Sequence, residues 1–180
     1  MNLYNKFALV TGASTGIGRE ISIALGKDGA FIALVARTKK KLEETKKLVE
    51  RAGGGAEIFP ADLSSVNSVN KLITSIKSAS EKVDILLNVA GLWHGKNEVY
   101  ADKSLELFSQ KVILDTFMVE TIAPTLLANA FIPMMSDCSR IINISGTFQN
   151  GAKGWVPYYV SKRALEDLTV GLSQELGGRK

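Results

Sequence analysis

The chain has 180 residues, about one domain's length and enough to bury a core without covalent staples. Its 46% hydrophobic and 22% charged residues exclude disorder, collagen and coiled coil. Of the net charge of +4, most falls in residues 38–52, where Lys39, Lys40, Lys41, Lys46, Lys47 and Arg51 face Glu43, Glu44 and Glu50 without interleaved aromatics. That is a solvated helix face, so nucleic acid is not an expected partner.

Along the chain, short apolar runs alternate with longer helical patterns. Phe7 to Thr11 reads as a buried strand, followed by a helix from Gly16 to about Asp28 with Ile17, Ile21, Ala24 and Leu25 on one face. Phe31 to Ala36 is a second strand, and 38–52 is a helix stopped by Gly53, Gly54 and Gly55. Glu57 to Ala61 is a short third strand, and Val66, Val69, Leu72, Ile73 and Ile76 stripe the next helix. Val83 to Val89 is a fourth strand, and residues 103–135 are helical in length with a kink expected at Pro124. Arg140 to Ser145 is a fifth strand, and Leu165, Leu168, Leu172 and Leu176 stripe a last helix ending at Gly177 and Gly178. Strands apolar throughout, alternating with helices, predict an α/β fold: a doubly wound parallel sheet covered on both faces. Ligands in such sheets bind beyond the carboxyl ends of the strands.

The first such end carries Thr11-Gly12-Ala13-Ser14-Thr15-Gly16-Ile17-Gly18. Gly12 permits a tight turn, Gly16 lets backbone approach a phosphate, and Gly18 lets the helix pack close to the strand. The helix N-terminus adds free N–H groups and a positive dipole end. The fourth strand ends Asn88-Val89-Ala90-Gly91, Ser145 ends the fifth, and Tyr158 and Lys162 follow at the helical spacing of four. With these motifs in this order, and Ser145 thirteen residues before Tyr158, the whole chain resembles the short-chain dehydrogenases/reductases. The resemblance implies a Rossmann fold and a nicotinamide cofactor held by Gly12, Ser14, Thr15, Gly16, Ile17, Gly18, Asn88, Ala90, Gly91, Tyr158 and Lys162. It implies Ser145, Tyr158 and Lys162 as the catalytic set. Asp62 and Leu63 resemble the family's adenine-binding pair, and Asp62 by itself also reads as a loop or capping acid.

The second strand ends Val35-Ala36-Arg37, with no acid before Glu43. An acid there would bond a ribose 2′-hydroxyl, whereas a guanidinium suits a phosphate. NADP(H) is therefore expected over NAD(H). A phenol ionises near 10, too high for easy proton exchange at neutral pH. An adjacent ammonium lowers it, so Tyr158 is expected as general acid and base for a carbonyl or secondary alcohol, with Ser145 bonding the same oxygen.

Where the family often has an asparagine in the long helix, counting back from Ile132-Pro133-Met134-Met135 reaches Glu120. An ionised Glu120 would partly cancel Lys162. It could instead hold a water, be protonated or point elsewhere, and the sequence leaves these open. Trp93, Phe148 and Trp155 are candidates for an apolar substrate pocket, His94 reads as a loop residue, and Cys138 as a spectator.

One cysteine and one histidine cannot make an internal disulfide or the usual zinc site, so no metal is expected. The residues at the N-terminus do not read as a secretory leader, and no uncharged apolar run approaches the roughly 18 residues of a membrane span, so a cytoplasmic chain is expected. Relatives run longer than 180 residues, so the expectation is a single dinucleotide-binding and catalytic domain lacking the family's C-terminal strands. The fifth strand would then be an exposed edge, to be covered by further chain or a partner. Helices 103–135 and 158–177 are the expected surface of a homodimer or homotetramer. The rivals are a dinucleotide-binding regulatory module without turnover and a structural protein that kept the motifs by descent.

Overall fold

The computed structural model describes residues 2–92, 100–146 and 151–178. Five parallel strands form one sheet in the order β3-β2-β1-β4-β5. They are β1 Phe7–Thr11, β2 Phe31–Ala36, β3 Gly55–Pro60, β4 Ile85–Asn88 and β5 Arg140–Asn143. The connecting helices are α1 Gly16–Lys27, α2 Lys39–Arg51, α3 Val66–Ala79, α4 Gln110–Phe117, α5 Ala123–Phe131 and α6 Val156–Leu176. The strand order reverses at β1, which pairs with β2 on one side and β4 on the other, Ala8 lying opposite both Ile32 and Ile85. A crevice opens at such a reversal because successive crossovers leave in opposite directions.

The period of two along each strand divides the core. Ala8, Val10, Ile32, Leu34, Ile85 and Leu87 face one layer, with Leu42 and Val49 of α2. Leu9, Val35 and Leu86 face the other, with Leu72 and Ile76 of α3 and Leu127 and Phe131 of α5. Both faces are covered, so these strands contain no polar alternation. β5 differs. It is the outer strand on its side, its residues alternate between exposed and half-buried, and Ile142 is 42% exposed.

The expected elements recur with shifted ends. β3 begins two residues earlier than its apolar run, because Gly55 and Ala56 continue the ladder opposite Phe31 and Ile32. The segment 103–135 is not one kinked helix: α4 and α5 are joined by a π-helical turn, Met118–Ile122. Pro124 sits in the first turn of α5. With no N–H, it cannot make the regular bond back to the carbonyl of Glu120, and the ladder widens there instead. The stretch Gln110–Met134 is long and apolar enough, by length and composition alone, to cross a membrane. Its Val112, Val119, Ala123, Leu127, Ala128 and Phe131 are buried within this fold.

Candidate active site

A cleft of about 670 Å³ lies over the carboxyl ends of the strands. Gly12, Ser14, Thr15, Gly16, Ile17 and Gly18 form its floor, and Arg37, Thr38 and Lys41 stand together on its wall. Asp62 and Leu63 come from the end of β3, Val89 to Leu92 from the end of β4, and Tyr158 from α6.

The floor is built by close backbone approach. Gly12 has φ +68°, and a Cβ there would sit 2.8 Å from the Ala90 backbone. The turn after β1 and the turn after β4 thus pack without a side chain between them. Thr11 completes the junction: its Oγ1 accepts the N–H groups of Val89 and Ala90 at 3.0 and 3.1 Å. Gly16 has φ +53° and open space where its Cβ would point. Arg19 steadies the loop by donating to the Ser14 carbonyl at 2.6 Å and to Thr45 Oγ1 at 3.1 Å. Thr15, the residue before α1, makes no side-chain cap. The first N–H groups of α1 are therefore available to an anion lying across the turn. A pyrophosphate fits this floor, and the cations Arg37 and Lys41 lie where a further phosphate on the adenosine ribose would meet them.

Asp62 is a local organiser as well as a lining residue: its Oδ1 accepts from the Ser64 N–H and hydroxyl at 3.0 and 2.8 Å. These bonds match the reading of Asp62 as a loop acid, and the residue also lines the cleft. Asn88 is not among the lining residues. Its Nδ2 donates to Asn143 Oδ1 at 2.8 Å, tying β4 to β5, and its own buried Oδ1 has no protein partner.

At the other end of the cleft stand Tyr158, Lys162 and Glu120. Lys162 is buried. Its ammonium donates to the Ile144 carbonyl at 2.7 Å, lies 2.7 Å from Glu120 Oε2, and is 5.6 Å from the centre of the Tyr158 ring. Glu120 is wholly buried, and its Oε1 accepts the Leu92 N–H at 2.6 Å. Of the alternatives open for Glu120, the structure selects the one facing Lys162. Burial raises the Glu120 carboxyl above its ordinary range, against the opposing pull of Lys162 and the Leu92 N–H.

The expected lowering of Tyr158 by Lys162 is reversed. Burial, and then the charge of Glu120, push the phenol up to about 12. An ammonium 2.7 Å from a carboxylate has little net field left to favour a phenolate. Ser145 is also engaged elsewhere: its hydroxyl donates to Glu166 Oε1 at 2.6 Å, and Glu166 pairs with Arg163. Glu166 was not foreseen, although its place four residues after Lys162 puts it on the same helix face. Thr38 was likewise unmarked, and Lys41 reaches the cleft wall through the packing of α2.

Trp155 packs against Tyr158 with ring centres 6.5 Å apart. Trp93, His94 and Phe148 lie outside the described residues. Cys138 is exposed in the turn before β5. A separate concavity of about 490 Å³ runs between β5 and α6, lined by Ile141, Asn143, Thr169 and Leu172.

Comparison with known proteins agrees with this geometry. The chain is 34% identical over 177 residues to a fatty acyl-CoA reductase of Acinetobacter baylyi, covering 97% of this chain and 59% of that protein. It is 32% identical to the rhamnolipids biosynthesis 3-oxoacyl-[acyl-carrier-protein] reductase of Pseudomonas aeruginosa, covering 98% and 69%. Among solved structures, a metagenomic short-chain oxidoreductase in complex with NADP superposes with a TM-score of 0.88 at 33% identity, over 97% of this chain and 77% of that one. The landomycin C-6 ketoreductase LanV with bound NADP and rabelomycin gives 0.87 at 32%, over 99% and 73%. The chain spans 59% to 62% of the length of three curated relatives that it matches. The profile of the short chain dehydrogenases matches residues 6–180, and with the glycine turn, the strand order and the Tyr158–Lys162 helix in place, the chain belongs to that family.

Proposed function

We propose that residues 1–180 act as one dinucleotide-binding and catalytic unit of an NADP(H)-dependent oxidoreductase that interconverts a carbonyl and a secondary alcohol. One observation carries this reading: the glycine turn, the Arg37–Lys41 wall and Tyr158 line a single cleft at the strand-order reversal. The floor of the cleft would take the pyrophosphate, Arg37 and Lys41 the 2′-phosphate, and Asp62 with Leu63 the adenine. Bound in this way, the nicotinamide supplies or accepts the hydride. Tyr158 holds the proton that the substrate oxygen gains in reduction and loses in oxidation. Ser145 positions that oxygen once its hydroxyl turns from Glu166, and Lys162 stands behind the phenol. Because two of the relatives are named as acyl-CoA and 3-oxoacyl reductases, acyl thioesters with a reducible carbonyl are the first substrate class to try.

The reading extends to a homodimer or homotetramer in the cytoplasm. Leu114, Ile122, Val160 and Val170 are exposed apolar side chains on α4, the π turn and α6, and a reducing compartment suits a chain with one cysteine.

A second reading has its own support. Ser145 is bonded to Glu166 and Lys162 is paired with Glu120, an arrangement that suits cofactor binding without turnover. NADPH fluorescence together with NADPH oxidation across ketones, aldehydes and 3-oxoacyl thioesters separates the two. Binding with turnover supports the oxidoreductase, and binding with none across the panel supports the binding module. Failure to bind NADPH at all counts against both.

A further inference from the structure

We propose that Glu120 is a positioning residue of this reaction: its carboxylate locks Lys162 and the turn after β4 in one arrangement and offsets the lysine's charge at Tyr158. The proposal rests on the oxidoreductase reading above.

Three elements meet at this carboxylate. The π turn carries it, Oε1 takes the Leu92 N–H at the end of β4, and Oε2 lies 2.7 Å from the Lys162 ammonium of α6. The fit is close. A Cβ added to Gly91 would stand 3.1 Å from Oε1, so the loop passes close to the carboxylate and a side chain there would press on it. Lys162 is held on its other side by the Ile144 carbonyl. Its ammonium therefore has a fixed position behind Tyr158 rather than the freedom of a long, mobile side chain.

Among the described residues, few charges surround the carboxylate. From α6, Lys162 and the Tyr158 phenol face it, while Arg163 and Glu166 pair with one another nearer the surface. From α4, Asp115 is taken by Lys111. After β4, Leu92 presents only a backbone N–H, and Tyr100 beside it belongs to an apolar cluster with Phe108 and Val112. Among the described residues, the Lys162 ammonium and the Glu120 carboxylate both bear on Tyr158. A lysine alone would favour the phenolate. Paired with Glu120 it does so less, and burial together with the Glu120 charge raises the phenol.

Glu120→Gln tests this with little change of shape, since an amide oxygen can still accept from Leu92 but no longer neutralises Lys162. The readout is the tyrosinate absorbance of each protein minus that of its own Tyr158→Phe version. In the 180-residue parent, no Tyr158-dependent step is expected up to pH 10.0, the ordinary tyrosine value. In Glu120→Gln the step moves down by about one pH unit or more relative to the parent. The pH profile of alcohol oxidation moves the same way, and NADPH affinity stays within about twofold, because the adenosine end is untouched.

Superimposable Tyr158 titrations in the two proteins overturn the proposal, as does a Tyr158 step in the parent below pH 10.0. The second criterion needs no variant of Glu120, so a poorly folded Glu120→Gln does not shield the idea. A role confined to fold stability would move the melting temperature and leave the Tyr158 titration in place, which also counts against it. If instead the oxidoreductase reading fails, no carbonyl is reduced by the parent, yet the titrations of parent and Glu120→Gln still differ.

Discussion

Arg37 is exposed at the end of β2, on the cleft wall beside Thr38 and Lys41. A guanidinium there can bond a phosphate in bidentate fashion, and, having donors only, it cannot accept from a ribose 2′-hydroxyl as a carboxylate would. Calorimetry on the parent is expected to give NADPH roughly tenfold tighter binding than NADH, a value kept modest because the site is solvated. Arg37→Asp is expected to abolish or invert the difference. Equal dissociation constants in the parent would remove Arg37 from the cofactor site. Tyr158 carries a prediction of the other kind, on turnover rather than binding. Tyr158→Phe keeps the ring against Trp155 and deletes the transferable proton, so turnover should fall at least about 100-fold while NADPH fluorescence still reports binding. A phenylalanine variant with parental turnover would reassign the proton to another group.

At the scale of elements, the two ends of the sheet are organised by different means. The carboxyl ends hold glycine turns and a cleft, whereas the amino ends are pinned by one buried acid. Asp84 accepts from the Phe7 N–H and from Lys6, both at 2.9 Å, and lies 3.2 Å from Lys82. Its own backbone reaches Phe7 in β1 and Arg140 in β5, so three strands start in register around it. Burial pushes its carboxyl up, but these hydrogen bonds and the Lys82 charge outweigh burial and hold it below its ordinary value. A carboxyl with a depressed folded value adds stability that is present above its unfolded value of 3.8 and is lost as pH falls through the folded one. Asp84→Asn is expected to cost about 1.5–3 kcal/mol at neutral pH, the range for hydrogen bonds to a charged group. That deficit should shrink in acid as the parent protonates. Urea unfolding at neutral pH and well below pH 3.8, where the folded carboxyl protonates, checks both halves, and a deficit that does not change with pH would show that the charge contributes nothing.

Over the whole molecule, apolar side chains that a lone subunit leaves in water are the measurable feature. Leu114 of α4 is 59% exposed, Val170 of α6 54% and Ile122 of the π turn 44%. If α4 and α6 pair subunits, Leu114→Glu places a charge in a dry interface, and sedimentation should show the assembly reduced to a smaller species. An unchanged assembly would move the interface to another face.

How much of this was legible beforehand follows from the range of the forces involved. Local patterns determined the strands, the helices, the glycine turn and the Tyr158–Lys162 spacing, because propensity, periodicity and capping act over a few residues. β1 and β2 match their apolar runs residue for residue. The address of Arg37 was equally readable, since the end of the second strand is a fixed place in a doubly wound sheet. Lys41 and Thr38 reached the cleft only through the packing of α2, and Asn88 turned to Asn143 because β5 lies beside β4. The tertiary structure alone decided the electrostatic setting of the Tyr158–Lys162 pair. Whether Lys162 lowers Tyr158 depends on what else lies within a few ångströms in a buried, poorly screened site. Glu120, 42 residues before Lys162 in sequence, reaches that place from the π turn between α4 and α5. Electrostatics inside a protein is a sum over neighbours in space, and the chain order lists only neighbours in sequence.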